Sequence, residues 1–145
     1  MKAESKPLRV VFDTNVLCSA LAFPAVSPPS QAFRLLVDGK VAGFSSPFIL
    51  HELEQTLQTK ARWDDERLRA LRRRLKPLMT QITPTSHLSV IKRIDADNRI
   101  LECAIDAHAD VLITGNMKDI RPLGTFRGVQ ILTPREFLVR HFPRF

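Results

Sequence analysis

Leu8-Arg9-Val10-Val11-Phe12, followed at once by Asp13-Thr14-Asn15, is the stretch on which the fold turns. A run this short, apolar and β-branched is too brief for a helix and reads as a strand buried on both faces. Strands of that kind belong to parallel sheets, and the rest of the chain supplies the alternation such a sheet needs. Val16 to Phe23 has helical spacing and stops in Pro24-Ala25-Val26-Ser27-Pro28-Pro29-Ser30, whose prolines cannot continue it. Ser30 is placed to cap a second helix with an apolar face of Ala32, Phe33, Leu35, Leu36 and Val37, ended by Asp38-Gly39-Lys40. Val41 to Ser45 reads as the next strand. Pro47 opens a helix with a Leu50, Leu53, Leu57 stripe, and Asp64-Asp65-Glu66 opens another whose inner face is Leu68, Leu71, Leu75 and Leu78. Val90 to Ile94 reads as extended, Asp97 to His108 as helix, Val111 to Thr114 and Val129 to Leu132 as strands, and Pro134 to His141 as a closing helix.

Short strands alternating with amphipathic helices predict a three-layer α/β/α fold around a central parallel sheet. No internal repeat or linker interrupts the chain, so its 145 residues are expected to form a single domain, with residues 1–7 as a flexible lead-in. Such sheets place their sites at the carboxyl ends of the strands.

Composition narrows the functional classes. Apolar residues at 44% and charged residues at 26% are globular values that exclude a disordered or fibrous chain. No apolar stretch is long enough to span a bilayer, and the polar start lacks a signal peptide, so a cytoplasmic protein is expected. Cys18 and Cys103 are too few for a disulfide framework or a zinc knuckle. Lys plus Arg numbers 22 against 15 Asp plus Glu, a net charge of +7 that makes a polyanion a plausible partner.

The acids give the basic chain its candidate chemistry. Asp13 leaves the first strand at the sheet's carboxyl edge, where it is either a site carboxylate or a helix cap. Glu52 and Glu54 flank the same leucine stripe, and helical periodicity does not choose between them. Asp95, Asp97 and Asn98 cluster where the helix through Ile100, Leu101, Ala104 and Ile105 begins, which capping alone would explain. Thr114-Gly115-Asn116 follows the strand from Val111, and Asp119 can reach back over the same edge. Carboxylates converging in one pocket repel one another and cost stability unless a cation joins them. All-oxygen ligands favour Mg²⁺ or Mn²⁺, and the dispersed His51, His87, His108 and His141 give no zinc spacing.

Five segments taken in order resemble the PIN-domain family, and within it the toxin components of toxin–antitoxin systems related to the VapC ribonucleases. They are Val10-Val11-Phe12-Asp13-Thr14-Asn15-Val16-Leu17, Ser46-Pro47-Phe48-Ile49-Leu50-His51-Glu52-Leu53, Asp97-Asn98-Arg99-Ile100-Leu101-Glu102-Cys103-Ala104, Ala109-Asp110-Val111-Leu112-Ile113-Thr114-Gly115-Asn116 and Thr133-Pro134-Arg135-Glu136-Phe137-Leu138. The resemblance implies that Asp13, Glu52 and Asp97 bind metal, which selects Glu52 over Glu54. Asn116 stands where many PIN domains have Asp, leaving one or two ions open. Similar sequences imply that Asp119 supplies the missing charge, that Asn116 offers a neutral oxygen or orients water, and that Asn15 and Thr114 hold the carboxylates by hydrogen bonds.

The reaction so implied is metal-dependent hydrolysis of RNA phosphodiester bonds, with Asp13, Glu52, Asp97 and Asp119 as catalytic acids. A cognate antitoxin, and in many members a homodimer, are the partners the resemblance implies. RNA passing an acidic pocket needs cations nearby, and Arg69, Arg72, Arg73 and Lys76 share one helical stripe, which a solvated helix face would equally explain. A haloacid-dehalogenase-type enzyme would need a second Asp where Asn15 stands, a receiver domain lacks its acidic pair and central phosphorylated Asp, and a Rossmann unit lacks its Gly-rich loop. The competing class is a PIN-fold module that binds RNA or a partner protein without cutting, its metal site impaired by Asn116.

Overall fold

A computed structural model describes residues 6–23 and 25–144. Lys6 and Pro7 precede the first strand without regular structure, and residues 1–5 of the expected lead-in lie outside the described residues. The chain runs β1 (Leu8–Phe12), α1 (Thr14–Ala22), α2 (Pro28–Val37), β2 (Val41–Ser45), α3 (Pro47–Lys60), α4 (Asp65–Leu75), β3 (Met79–Gln81), α5 (Ala96–Asp106), β4 (Val111–Ile113), β5 (Thr125–Phe126), β6 (Val129–Leu132) and α6 (Pro134–His141). The six strands form one sheet in the order β3-β2-β1-β4-β6-β5. All neighbours are parallel except β5, which pairs antiparallel with β6. Helices flank this sheet in an α/β/α arrangement.

The strand order follows from burial. Val10, Val11 and Phe12 are 0–1% exposed, and β1 lies between β2 and β4 with neighbours on both sides. After β1 the chain builds outward through β2 and β3, then returns to the other side of β1 for β4 and β6. The reversal puts a crevice beyond the carboxyl ends of β1 and β4, the place where open α/β sheets bind ligands. Beside it, β2 is threaded close under α2: a Cβ on Gly43 would stand 2.5 Å from Leu36 Cδ1.

Most boundaries agree with the reading above, and the differences have physical reasons. Ser27, not Ser30, is the N-cap of α2; Ser30 returns the favour from the third helical position by accepting from the Ser27 N–H, and Pro28 occupies the first position, where no N–H is needed. In α3 the fully buried positions are Ile49, Leu53 and Leu57, with Leu50 turned partly outward. Leu78 lies beyond the end of α4 and is only half-buried. Val90 to Ile94, read as extended, pairs with no strand of the sheet. Its backbone groups, and those just before it, are satisfied instead by one face of α5, on which Asn98, Glu102 and Asp106 recur at helical spacing. Asn98 accepts from the Ile91 N–H at 2.9 Å and donates to its carbonyl at 2.9 Å, while Glu102 accepts from the Leu88 N–H at 2.8 Å. Asp106 accepts from the N–H groups of Thr85 and Ser86.

Candidate active site

Asp13 occupies the N-cap position of α1, but its side chain makes no capping hydrogen bond. Its Oδ2 instead accepts from the Thr114 hydroxyl at 2.7 Å, across the β1/β4 boundary. Both residues follow directly from paired strand ends, because Phe12 lies opposite Ile113 in the parallel register. Asp13 is only 5% exposed. Burial pushes its carboxyl up to about 6, against the Thr114 bond, and the charges of Asp97 and Glu52 push the same way.

Glu52 reaches the crevice from the second turn of α3, where its Oε1 accepts from the Thr14 hydroxyl at 2.8 Å. Glu54, two residues on, faces elsewhere and is gripped by Arg72 of α4 through Nε and Nη2. Of the two, Glu52 is the one whose charge acts on Asp13 and Asp97. Asp97 stands in the first turn of α5 and takes a 3.1 Å hydrogen bond from Asn116 Nδ2. Burial raises its pKa, helped by the charges of Asp119 and Glu52 and opposed by Asn116 and Arg93. Asp13, Glu52 and Asp97 therefore lie close enough for their charges to act on one another, each held by a side-chain donor from another element.

Asn116 does not offer the free oxygen expected of it. Its Oδ1 accepts from the N–H groups of Asp119 at 2.9 Å and Lys118 at 3.2 Å, which turns the amide nitrogen toward Asp97. Asp119 does not supply uncompensated charge. Arg93 clasps it through Nε and Nη2, with Nη2 2.6 Å from Oδ2, and this pair holds the carboxyl below the usual carboxylate range. Asn15 is exposed and makes no side-chain hydrogen bond among the described residues; Thr14, one residue earlier on the helix, takes the supporting role by reaching Glu52. Thr114 fills the role expected of it. Sequence reasoning passed over Thr14 and Arg93. Adjacency to Asp13 pointed to Thr14, whereas Arg93 meets a carboxylate 26 residues away and left no local sign.

The donor set is entirely oxygen, which suits a hard divalent cation. Among the described residues no three acid, histidine or cysteine side chains are already gathered around one point. Glu52 and Asp97, tied to Thr14 and Asn116, would have to turn to share an ion with Asp13. The raised pKa of Asp13 comes first from burial and then from the charges of Asp97 and Glu52, and a bound cation would offset both.

The basic stripe of α4 lies apart from these acids. Arg69, Arg72, Arg73 and Lys76 are all exposed, but Arg72 is engaged with Glu54 and is not the free cation expected there. With Lys76, Leu50, Leu71 and Met79 it lines a groove of about 780 Å³ that none of Asp13, Glu52 and Asp97 enters.

A protein of Methanocaldococcus jannaschii described as uncharacterized protein MJ1680 is 28% identical over 156 aligned positions, which take in 99% of this chain and 97% of its own length. That likeness brings no activity with it. The family model described as PIN domain matches residues 9–118, a span that contains Asp13, Glu52, Asp97 and Asn116 and ends one residue short of Asp119. PIN domains are generally nucleases that use divalent metal ions. A match over this much of the chain, on a largely parallel sheet whose switch point carries the acids, means that the chain belongs to the PIN-domain family.

Proposed function

We propose that this protein is a metal-dependent endoribonuclease, the toxin of a toxin–antitoxin pair, acting in the cytoplasm as a single-domain enzyme. The observation that carries the reading is Asp13: a carboxylate 5% exposed, facing Asp97 and Glu52, with one hydroxyl donor and no cationic partner among the described residues. A structural acid at that depth is normally paired, because an unpaired buried charge is costly.

Asp13, Glu52 and Asp97 are the residues that would hold Mg²⁺ or Mn²⁺. When bound, a divalent ion lowers the pKa of water and neutralises charge on the reacting phosphate. Thr114 keeps the Asp13 carboxylate aimed into the crevice, and Thr14 does the same for Glu52 from the next element. Asn116 orients Asp97, and is itself fixed by the backbone amides of Lys118 and Asp119. RNA is the substrate, the net charge of +7 aiding encounter with a polyanion. A cognate antitoxin covers the crevice, and a second copy of the chain completes a homodimer.

A second reading, an RNA-binding or partner-binding module that does not cut, draws on Asn116, which gives Asp97 a hydrogen bond where Asp would add charge. Mn²⁺ titration of the full chain with single-stranded RNA separates the two. The nuclease binds Mn²⁺ and cleaves, and Asp97→Asn loses activity by more than the roughly 10–100-fold typical of residues that only support a metal ligand. RNA binding without Mn²⁺ binding or cleavage refutes the enzyme.

A further inference from the structure

Arg93 meets the acids through Asp119, and its geometry is that of a group held ready. Asp119, whose side chain is 11% exposed, grips the Nε and Nη2 edge of the guanidinium, while the Arg93 side chain itself is 56% exposed. Nη1 makes no hydrogen bond among the described residues, so one terminal edge of a planar, always-charged group stays free. Its partner is fixed in turn: the Asp119 N–H donates to Asn116, which donates to Asp97. Arg93 acts on Asp97 electrostatically as well. Exposed Lys92 and Lys118 stand next in sequence to the two partners and add to the same positive rim. A pair made only to tie two loops together would contribute little at this exposure.

We propose that Arg93, oriented by Asp119, receives a phosphate group of the RNA backbone at the edge of the acid cluster, making it a substrate-binding residue of the nuclease. This rests on the nuclease reading. It accounts for the departure at Asn116: Asp119 is balanced by a cation of the chain itself, leaving three carboxylates for metal. Phosphate suits the free edge of an arginine already anchored on its other side, since the fork pre-orders the remaining donors. Asp119 is then a positioning residue for Arg93.

The test uses the full chain and a single-stranded RNA oligonucleotide, with affinity followed by fluorescence anisotropy in Ca²⁺ across a salt series, Mn²⁺ affinity measured separately, and cleavage in Mg²⁺. Arg93→Gln is expected to weaken RNA binding about tenfold and flatten the log–log salt slope by about one, as one lost phosphate contact should. In cleavage it raises KM more than it lowers kcat, with Mn²⁺ affinity unchanged. Arg93→Lys restores the slope and part of the affinity. Asp119→Asn removes a negative charge, which simple electrostatics says should tighten RNA binding; positioning says it weakens it. Unchanged RNA affinity and slope in Arg93→Gln, with only a lower melting temperature, overturns the proposal, as does a loss confined to Mn²⁺ affinity. Tighter binding by Asp119→Asn overturns the positioning role. Should the unmodified chain bind no Mn²⁺, the nuclease reading fails alone, and the RNA affinity of Arg93→Gln still decides whether Arg93 meets phosphate.

Discussion

Asp13 and Glu102 are equally withdrawn from water, each 5% exposed, yet the fold treats the two carboxylates in opposite ways. Glu102 accepts from the Leu88 N–H at 2.8 Å and meets Arg99 at 3.1 Å. Asp13 has the Thr114 hydroxyl at 2.7 Å and, beyond it, two further acids. On the face of α5, polar side chains are buried in order to satisfy a backbone that has no strand to pair with. At the β1/β4 edge, Asp13 is buried with a single hydroxyl donor, and the half-buried Glu52 and Asp97 add their charge to it. Glu102 has an N–H and a guanidinium against it, whereas Asp13 has a hydroxyl and no cation among the described residues, so Asp13 is the less compensated of the two.

The largest effect should come from the paired region. Asn98 is fully buried and satisfies both backbone groups of Ile91, so Asn98→Ala is expected to cost about 2–4 kcal/mol in denaturant unfolding. A loss below about 0.5 kcal/mol, the range of an ordinary surface change, would break the contrast.

Asp13 should behave in the reverse sense. Its carboxyl titrates at about 6 in the folded chain against an ordinary 3.8, so the folded state binds the proton more tightly. Stability from this group is therefore fully present below pH 3.8 and is lost as pH rises through about 6. Asp13→Asn keeps an oxygen for the Thr114 hydroxyl and should stabilise the metal-free protein by about 1–3 kcal/mol at pH 8, a gain that disappears near pH 4. Melting curves at the two pH values, with metal chelated, check both the sign and the crossover.

The smallest effect belongs to an exposed pair outside both regions. Arg121, with the Thr133 backbone N–H, holds the Glu136 carboxyl down to about 2. Its stabilisation is present above the ordinary value of 4.5 and is lost as pH falls through about 2, the opposite direction to Asp13. Glu136→Gln should cost less than about 1 kcal/mol at pH 7, since an ion pair this exposed is screened. The difference from the unmodified chain should narrow steadily under acid titration.

Legibility in the sequence followed the range of the interactions. β2 and α6 were readable to their ends, and α3 at its start, because turn, proline and capping residues act locally. β3 was not, since Met79–Gln81 is a three-residue edge strand with one buried position and so carries no alternation to detect. Val90 to Ile94 was readable as extended, but the pairing of the Ile91 backbone with the Asn98 side chain of α5 left no local sign. Among the acids, position after a strand end singled out Asp13, whereas helical periodicity left Glu52 and Glu54 alike, the resemblance alone preferring Glu52; in the structure Thr14 and Arg72 claim one each.

By itself the sequence determined the alternating α/β order, the acid at the end of the first strand and the family likeness, all of which rest on patterns a few residues long. Only the tertiary structure decided which acids share a crevice, that Asn116 spends its oxygen on the backbone, and that Arg93 balances Asp119. The physical reason is that burial and charge compensation depend on what stands across a gap in space, and those neighbours come from strands and loops far apart along the chain.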